Sequence, residues 1–158
     1  MARDYFSFET IRGKEGEVVC YHVTMIGTIE NEGDIRIRND MGENQDKTRV
    51  FGILTLRGVD RKIRVLLNET NSRIHYHTQD DEGNATDAIS FVARDWRADE
   101  IYEYSAGDRV LIEGRAYLRH NTKIEDAKDE LTVTVTGQFL LGRKKRPQSP
   151  FRNFLPQE

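Results

Sequence analysis

The sequence predicts an all-β domain in which five or more strands close into a small barrel that carries one helix. Three observations favour this class. Apolar and polar residues alternate with a period of two through most of the chain, which is typical of half-buried strands. A helical pattern stands out only over 97–104, with Asp95 as its expected N-cap. Turn sequences such as Asn31-Glu32-Gly33 separate the apolar segments.

Composition limits the classes of protein that the chain can belong to. Its 158 residues suit one domain, and 32% of them are charged. Its apolar runs are shorter than the roughly 20 residues of a membrane span, and the first 17 residues lack the apolar core of a signal peptide. A single cysteine, Cys20, forms no internal disulfide, so a cytoplasmic location is expected. The net charge of −3 argues against a strongly basic coat protein for DNA, although the local field over a groove matters more than the sum.

Strands are expected through most of the chain up to residue 141. In order, they cover 17–30, 34–38, 48–57, two short segments within 59–79 (RKIRVLL and SRIHYHTQ), 88–93, 108–119 and 130–141. Gly27 marks a bulge or a barrel corner in the first strand. The segment 1–16 is interpreted as an N-terminal extension, 17–141 as the domain, and 142–158 as a flexible basic tail that holds all three prolines.

The order of these elements predicts a particular barrel. Five strands with one short helix between the third and the fourth form the Greek-key barrel of the oligonucleotide/oligosaccharide-binding (OB) fold. The second and third strands of that barrel are 48–57 and 88–93 here. The segment 58–84 between them is therefore expected as an extended hairpin.

Several segments resemble the bacterial single-stranded DNA-binding protein (SSB) family in the same order along 17–141. They are MIGTIENEGDIRIR (25–38), TRVFGILTLR (48–57), ATDAISFVARDWRADEIYEYSAGDRVLIEGR (85–115) and LTVTVTGQFLL (131–141). The resemblance implies an OB fold and a non-catalytic protein that binds single-stranded DNA in replication, recombination or repair. It also implies a homodimer or homotetramer, with the apolar strand 17–30 pairing across a two-fold axis, and a location at the nucleoid.

The chain also departs from the family pattern. The segment 58–84 is longer and more basic than the family's loop, and Trp96 falls just past a position where the family stacks bases. A basic tail ending in FRNFLPQE replaces the acidic partner-recruiting tail. These departures indicate a divergent relative, for example from a phage or another mobile element. They also leave an alternative open, in which the OB fold is a protein-interaction subunit of a replisome or primosome-type complex and binds nucleic acid weakly.

A basic region with aromatic residues is the site expected for a nucleic-acid strand. Between residues 34 and 64 there are eight basic and five acidic residues, and Arg36 and Arg38 share one face of their strand. The competing interpretation is the solvated face of a half-buried sheet. The candidate contacts are Arg36, Arg38, Arg49, Arg57, Arg61, Lys62, Arg64 and Arg115 for phosphates, with Tyr76, Trp96 and Tyr117 for bases.

Metal and catalytic sites are not expected. His75 and His77 stand at i and i+2 and in principle share an ion, but no second Cys or His pair lies at ligand spacing. They are equally well explained as surface histidines or as contacts to DNA. The chain carries no nucleophile elbow, Walker loop or zinc-protease motif, so neither a cofactor nor an enzymatic activity is predicted.

Overall fold

The computed structural model describes residues 3–39, 48–120 and 127–143. Within these ranges the chain forms nine strands and two α-helices. The strands are β1 Tyr5–Arg12, β2 Val18–Thr28, β3 Ile35–Asn39, β4 Thr48–Arg57, β5 Ser72–Arg73, β6 Tyr76–Gln79, β7 Ala85–Arg94, β8 Arg109–Arg119 and β9 Asp129–Gly142. The helices are α1 Asp60–Thr70 and α2 Trp96–Tyr102, and a short 3₁₀ turn covers Glu32–Asp34.

Five strands close the barrel in the order β2, β8, β9, β7, β4. The circle is completed where Thr28 of β2 pairs with Thr55 of β4. β7 and β9 run parallel, and the other neighbours in the circle are antiparallel. The helix α2 lies between β7 and β8 in sequence, which are the third and fourth strands of the predicted barrel. The expected OB fold class is thus confirmed.

The core fills the barrel with the inward side chains of these strands. Among the largest fully buried residues are Met25, Leu54, Phe91, Ile112 and Leu131. Gly114 permits the close approach of β8 to β9, because a Cβ there would overlap the carbonyl oxygen of Thr134. A glycine inside a strand therefore marks a tight contact between neighbouring backbones.

Residues 5–12, which the sequence interpretation placed in an N-terminal extension, form the edge strand β1. This strand pairs with β2 along its whole length, and Phe6 is 1% exposed within the core. Asp4 also binds the barrel: its carboxylate accepts the backbone N–H of Arg57 at 2.7 Å and Nη1 of Arg109 at 2.6 Å. The N-terminal segment therefore ties the starts of β1 and β8 to the end of β4.

The prediction of a strand for RKIRVLL was wrong, because residues 60–70 form α1. Ile63 and Leu66 are buried and Leu67 is half-buried, a spacing of three and four residues that fits one face of a helix. The helix ends at Thr70. Asn71 at its C-cap has a left-handed backbone (φ 50°, ψ 50°), and its N–H donates to the carbonyl of Leu67. The insertion between β4 and β7 therefore contains a helix of its own, in addition to the predicted helix α2 between β7 and β8.

The rest of the insertion folds back onto the barrel. β5 runs parallel to β9, and β6 pairs antiparallel with β7, from Tyr76 opposite Ala88 to Gln79 opposite Ala85. Asp95 stands at the N-cap of α2, as expected, but its side chain makes no capping hydrogen bond. Residues 40–47 and 121–126, which include most of the loops expected at 39–46 and 120–129, and the tail beyond 143 lie outside the described residues, and the division into domain and tail stays a prediction. In the described part of the chain, neither helix is long and apolar enough to cross a membrane.

Candidate nucleic-acid interface

A groove of about 710 Å³ lies on the outer face of the barrel, across β4, β7 and β9. Side chains of β3 and of the 3₁₀ turn form one wall, and residues in and just after β5 and at the end of β8 form the other. The residues that matter below are Arg36, Phe51, Ile53, His75, Ser90 and Arg119. In an OB fold this outer face of the second and third strands is the surface that binds oligonucleotides and oligosaccharides.

The alternation of inward and outward side chains along β4 shows which residues form the floor of the groove. Val50 and Leu54 point into the core, so Phe51 and Ile53 between them point outward and are only half-buried. The strand register extends this face sideways. Arg36 lies opposite Phe51, and Ser90 lies opposite Ile53 on one side and Thr132 on the other. The floor therefore combines an aromatic ring, an aliphatic side chain and two hydroxyl groups.

Two guanidinium groups flank the aromatic part of the floor. The Cζ atom of Arg119 lies 5.9 Å from the centroid of the Phe51 ring, within the range of a cation–π interaction. Arg36, opposite Phe51 in the register, is exposed, and its Nε donates to the carbonyl of Gly33 at 3.0 Å, which restrains the side chain toward the 3₁₀ turn. A flat apolar surface between positive charges suits a base and its phosphates.

The charge of Glu130, the acid at the far wall, is neutralised by its neighbours. Its Oε1 lies 3.3 Å from Nη1 of Arg73 and 3.4 Å from Nδ1 of His75, and its Oε2 accepts from the Ser90 hydroxyl at 2.9 Å. The Glu130 side chain is 13% exposed. Because these partners surround the carboxylate, Glu130 holds Arg73, His75 and Ser90 in position, and its negative charge repels a bound phosphate only weakly.

Several of the predicted contact residues lie on this outer face. Arg36 lines the groove, and Arg49 stands on the same face of β4, opposite Arg94 of β7. Arg38 is opposite Arg49 in the register, but its side chain lies outside the described residues. Arg115 and Tyr117 also point outward, opposite Thr134 and Thr132, so the predicted shared orientation of this pair agrees with the register.

Other predicted residues lie away from the groove. Arg57 forms an ion pair with Glu30, and Arg61, Lys62 and Arg64 are exposed on α1, which packs beside β1. Trp96 is 61% exposed at the start of α2, with the guanidinium of Arg97 4.3 Å from its ring.

Tyr76 is adjacent to the groove. Its ring centroid lies 5.7 Å from that of the lining residue His75.

The two histidines of the insertion have separate partners. His75 binds Glu130, whereas Nδ1 of His77 makes a short hydrogen bond to Asp87 and its Nε2 accepts from Nη2 of Arg64 at 3.1 Å. In the described part of the chain there is no group of three His, Cys, Asp or Glu side chains placed to hold a metal ion.

The sequence interpretation missed Phe51, Arg73 and Arg119. The alternation of β4 contains the signal for Phe51, since it is flanked by Val50 and Gly52 on the opposite face. Arg119 and Arg73 reach the groove only through the pairing of β8, β9 and β5, which no local pattern indicates.

Comparison with known proteins supports the same fold. No protein-family profile matches the chain, and no curated protein sequence is significantly similar to it. Among solved structures, the wild-type single-stranded DNA-binding protein from Thermus aquaticus has a TM-score of 0.50 at 15% identity, over 89% of this chain and 52% of that one. A deletion mutant of the T. aquaticus protein has a TM-score of 0.50 at 16% identity, over 77% of this chain and 50% of that one. The small single-stranded DNA-binding protein from Streptomyces coelicolor has a TM-score of 0.48 at 14% identity, over 78% of this chain and 95% of that one.

The chain thus shares an OB fold with the T. aquaticus proteins at 15–16% sequence identity. It spans about half the length of the T. aquaticus chains that it matches.

Proposed function

We propose that this chain binds single-stranded DNA in the outer groove and catalyses no reaction. The observation that carries the proposal is Phe51, an aromatic ring on the outer face of β4 that has the guanidinium of Arg119 5.9 Å from its centroid and Arg36 opposite it in the strand register. An unpaired base offers its face to such a ring, whereas the bases of a duplex are already stacked and paired. Stacking therefore supplies selectivity for single strands, and the arginines supply affinity for the backbone.

The structural likeness supports this choice of ligand. The T. aquaticus neighbours are named single-stranded DNA-binding proteins. The groove lies on the face of the barrel with which OB folds bind oligonucleotides and oligosaccharides. A role in DNA replication, recombination or repair follows as the finer proposal, and the expected nucleoid location rests on it. Origin from a phage or another mobile element remains a prediction from the sequence.

Oligomerisation is part of the proposal, but the strand expected to mediate it is internal. β2 is hydrogen-bonded to β1 on one side and, from His22 to Thr28, to β8 on the other, so among its described pairings only residues 18–21 leave an edge for a second copy. A different surface is available for a homodimer or homotetramer. The register aligns Tyr5, Ile26, Leu111 and Phe139 into an outward apolar row across β1, β2, β8 and β9.

The same apolar row favours the second candidate function, a protein-interaction subunit with weak nucleic-acid binding. Phe139 is 57% exposed and Tyr5 is 43% exposed in this row. In this alternative the row binds a replication or recombination protein and the groove contributes little. The two functions use different surfaces, the groove and the apolar row. Mutations in one surface therefore distinguish them from mutations in the other.

Fluorescence anisotropy with labelled oligo-dT and a duplex of matching length tests the proposal. We expect oligo-dT to bind at least about tenfold tighter than the duplex at moderate salt. Phe51→Ala should weaken oligo-dT binding by about 5- to 150-fold, the equivalent of about 1–3 kcal/mol for one stacked base, with an unchanged salt dependence. Phe139→Ala is the matched control, because it removes an exposed phenylalanine of the apolar row, outside the groove. Equal affinity for both nucleic acids, or equal losses in both variants, would contradict the proposal.

A further inference from the structure

We propose that the bound strand leaves the groove across β6, where Tyr76 stacks on one further base and Arg64 binds the following phosphate. This inference rests on the proposed function, and it assigns a role to the insertion between β4 and β7. The argument depends on the position of Tyr76, on the way Arg64 is held, and on the exposed edge of β6.

Tyr76 continues the outer face beyond the groove. It lies opposite Ala88, and Ala88 lies opposite Thr55, so the ring stands on the same side of the sheet as Ile53 and Ser90. The neighbouring His75 lines the groove itself, with its ring 5.7 Å from that of Tyr76. Tyr76 is 45% exposed, which leaves ring surface for a base. It is therefore the next aromatic platform for a strand that passes over the Ser90 end of the floor.

Arg64 is held on the other face of β6 by a chain of hydrogen bonds. Asp87 is 2% exposed, and its Oδ1 binds Nδ1 of His77. The Nε2 atom of His77 then accepts from Nη2 of Arg64 at 3.1 Å. A buried carboxylate thus positions a surface guanidinium through a histidine, so less side-chain freedom is lost when Arg64 binds a phosphate.

The edge of β6 joins the two positions. Tyr76 and His77 are consecutive, so their side chains point to opposite faces of the strand. In the described part of the sheet, β6 pairs only with β7, and all four of its residues are exposed. A DNA strand that crosses this edge therefore meets Tyr76 first and Arg64 next. The following turn carries three acids. Asp80 is engaged with the backbone N–H groups of Glu82 and Asn84, whereas Asp81 and Glu82 are exposed beyond the end of β6.

Oligonucleotide length provides the test. An oligo-dT of about 5 nucleotides, near the lower limit of the site size of one OB fold, should fill the groove only, and one of about 15 should also cross β6. We expect Tyr76→Ala to weaken binding of the longer oligonucleotide by about fivefold or more and to change the short one by less than about twofold. Tyr102→Ala, which removes an exposed tyrosine from α2, is the matched control.

Arg64 provides an independent readout. Arg64→Ala should reduce the slope of log affinity against log salt by about 0.7 for the longer oligonucleotide only, and Arg64→Lys should retain the slope. Arg12→Ala, at the exposed end of β1, is the control for loss of one positive charge. Equal losses at both lengths, or no loss with the longer DNA, would overturn the exit path while Phe51-dependent binding stands. Failure of the wild-type protein to bind either length would overturn the proposed function itself.

Discussion

Removal of the Asp4 carboxylate should destabilise the fold far more than loss of an ordinary surface charge. Asp4 accepts hydrogen bonds from the backbone N–H of Arg57 and from the guanidinium of Arg109, and its side chain is 10% exposed. Hydrogen bonds to a charged group contribute about 1.5–3 kcal/mol each. Arg109 is 23% exposed and regains water when its partner is lost, which reduces the total. We therefore expect Asp4→Ala to lower the free energy of unfolding by about 3 kcal/mol.

Urea denaturation at neutral pH, followed by circular dichroism, measures this change. The unfolding midpoint should fall while the m-value stays constant, because the same surface is exposed on unfolding. Glu30→Ala is the matched control, since it removes a carboxylate from the exposed ion pair with Arg57 and should cost less than about 1 kcal/mol. If the two variants are equally stable, the N-terminal segment does not hold the barrel together as described.

Two further variants test local details of the fold. Burial, together with the charges of Glu100 and Asp108, raises the pKa of Tyr104 to about 12, above its ordinary value of 10.0. The folded protein keeps the Tyr104 phenol neutral to a higher pH than the unfolded chain does. Its contribution to the free energy of unfolding is therefore complete below pH 10 and is lost between about pH 10 and 12. In urea titrations Tyr104→Phe should reduce this alkaline loss of stability by roughly 2 kcal/mol, and an unchanged loss would refute the assignment. Asp95 adopts φ 57° and ψ −132°, a backbone conformation that favours glycine. Asp95→Gly should therefore raise the free energy of unfolding by about 1 kcal/mol in the same urea titrations. A destabilised variant would show instead that the Asp95 side chain is needed.

The regular elements of the barrel were predictable from local patterns. Alternation located β4 at 48–57 with the correct bounds, and it located β8 and β9 to within one residue at each end. The helix α2 was expected two residues late at its C-terminal end and one residue late at its start. These segments have a strong pattern because one side of each is packed into the core, while the other side is mostly polar apart from residues such as Phe51, Leu111 and Phe139.

The helix α1 shows why the insertion was not predictable in the same way. Ile63, Val65 and Leu67 are spaced by two and suggest a strand, whereas Ile63, Leu66 and Leu67 are spaced as on a helix. In a short segment both patterns are present, and packing against β1, β5 and β7 decides between them. The exposed Val65 identifies the helix only after the fold is known.

Long-range pairing determines the site. Phe51 and Arg119 are far apart in sequence and meet because β4, β7, β9 and β8 are neighbours in the sheet. Asp4 and Arg109 meet for the same reason at the opposite end of the barrel. Alternation predicted that Arg36 and Arg38 share one face of their strand, but the groove itself depends on the register of five strands.

An NMR titration with oligo-dT tests the central claim most directly. Backbone amide resonances of Phe51, Ser90 and Thr132 should shift and saturate together as DNA is added, because these residues form the floor of the groove. The resonances of Ile26 and Leu111, in the apolar row on the other side of the barrel, should not change in a monomeric sample. Shifts confined to the apolar row, with an unaffected groove floor, would contradict the account and favour the protein-interaction alternative.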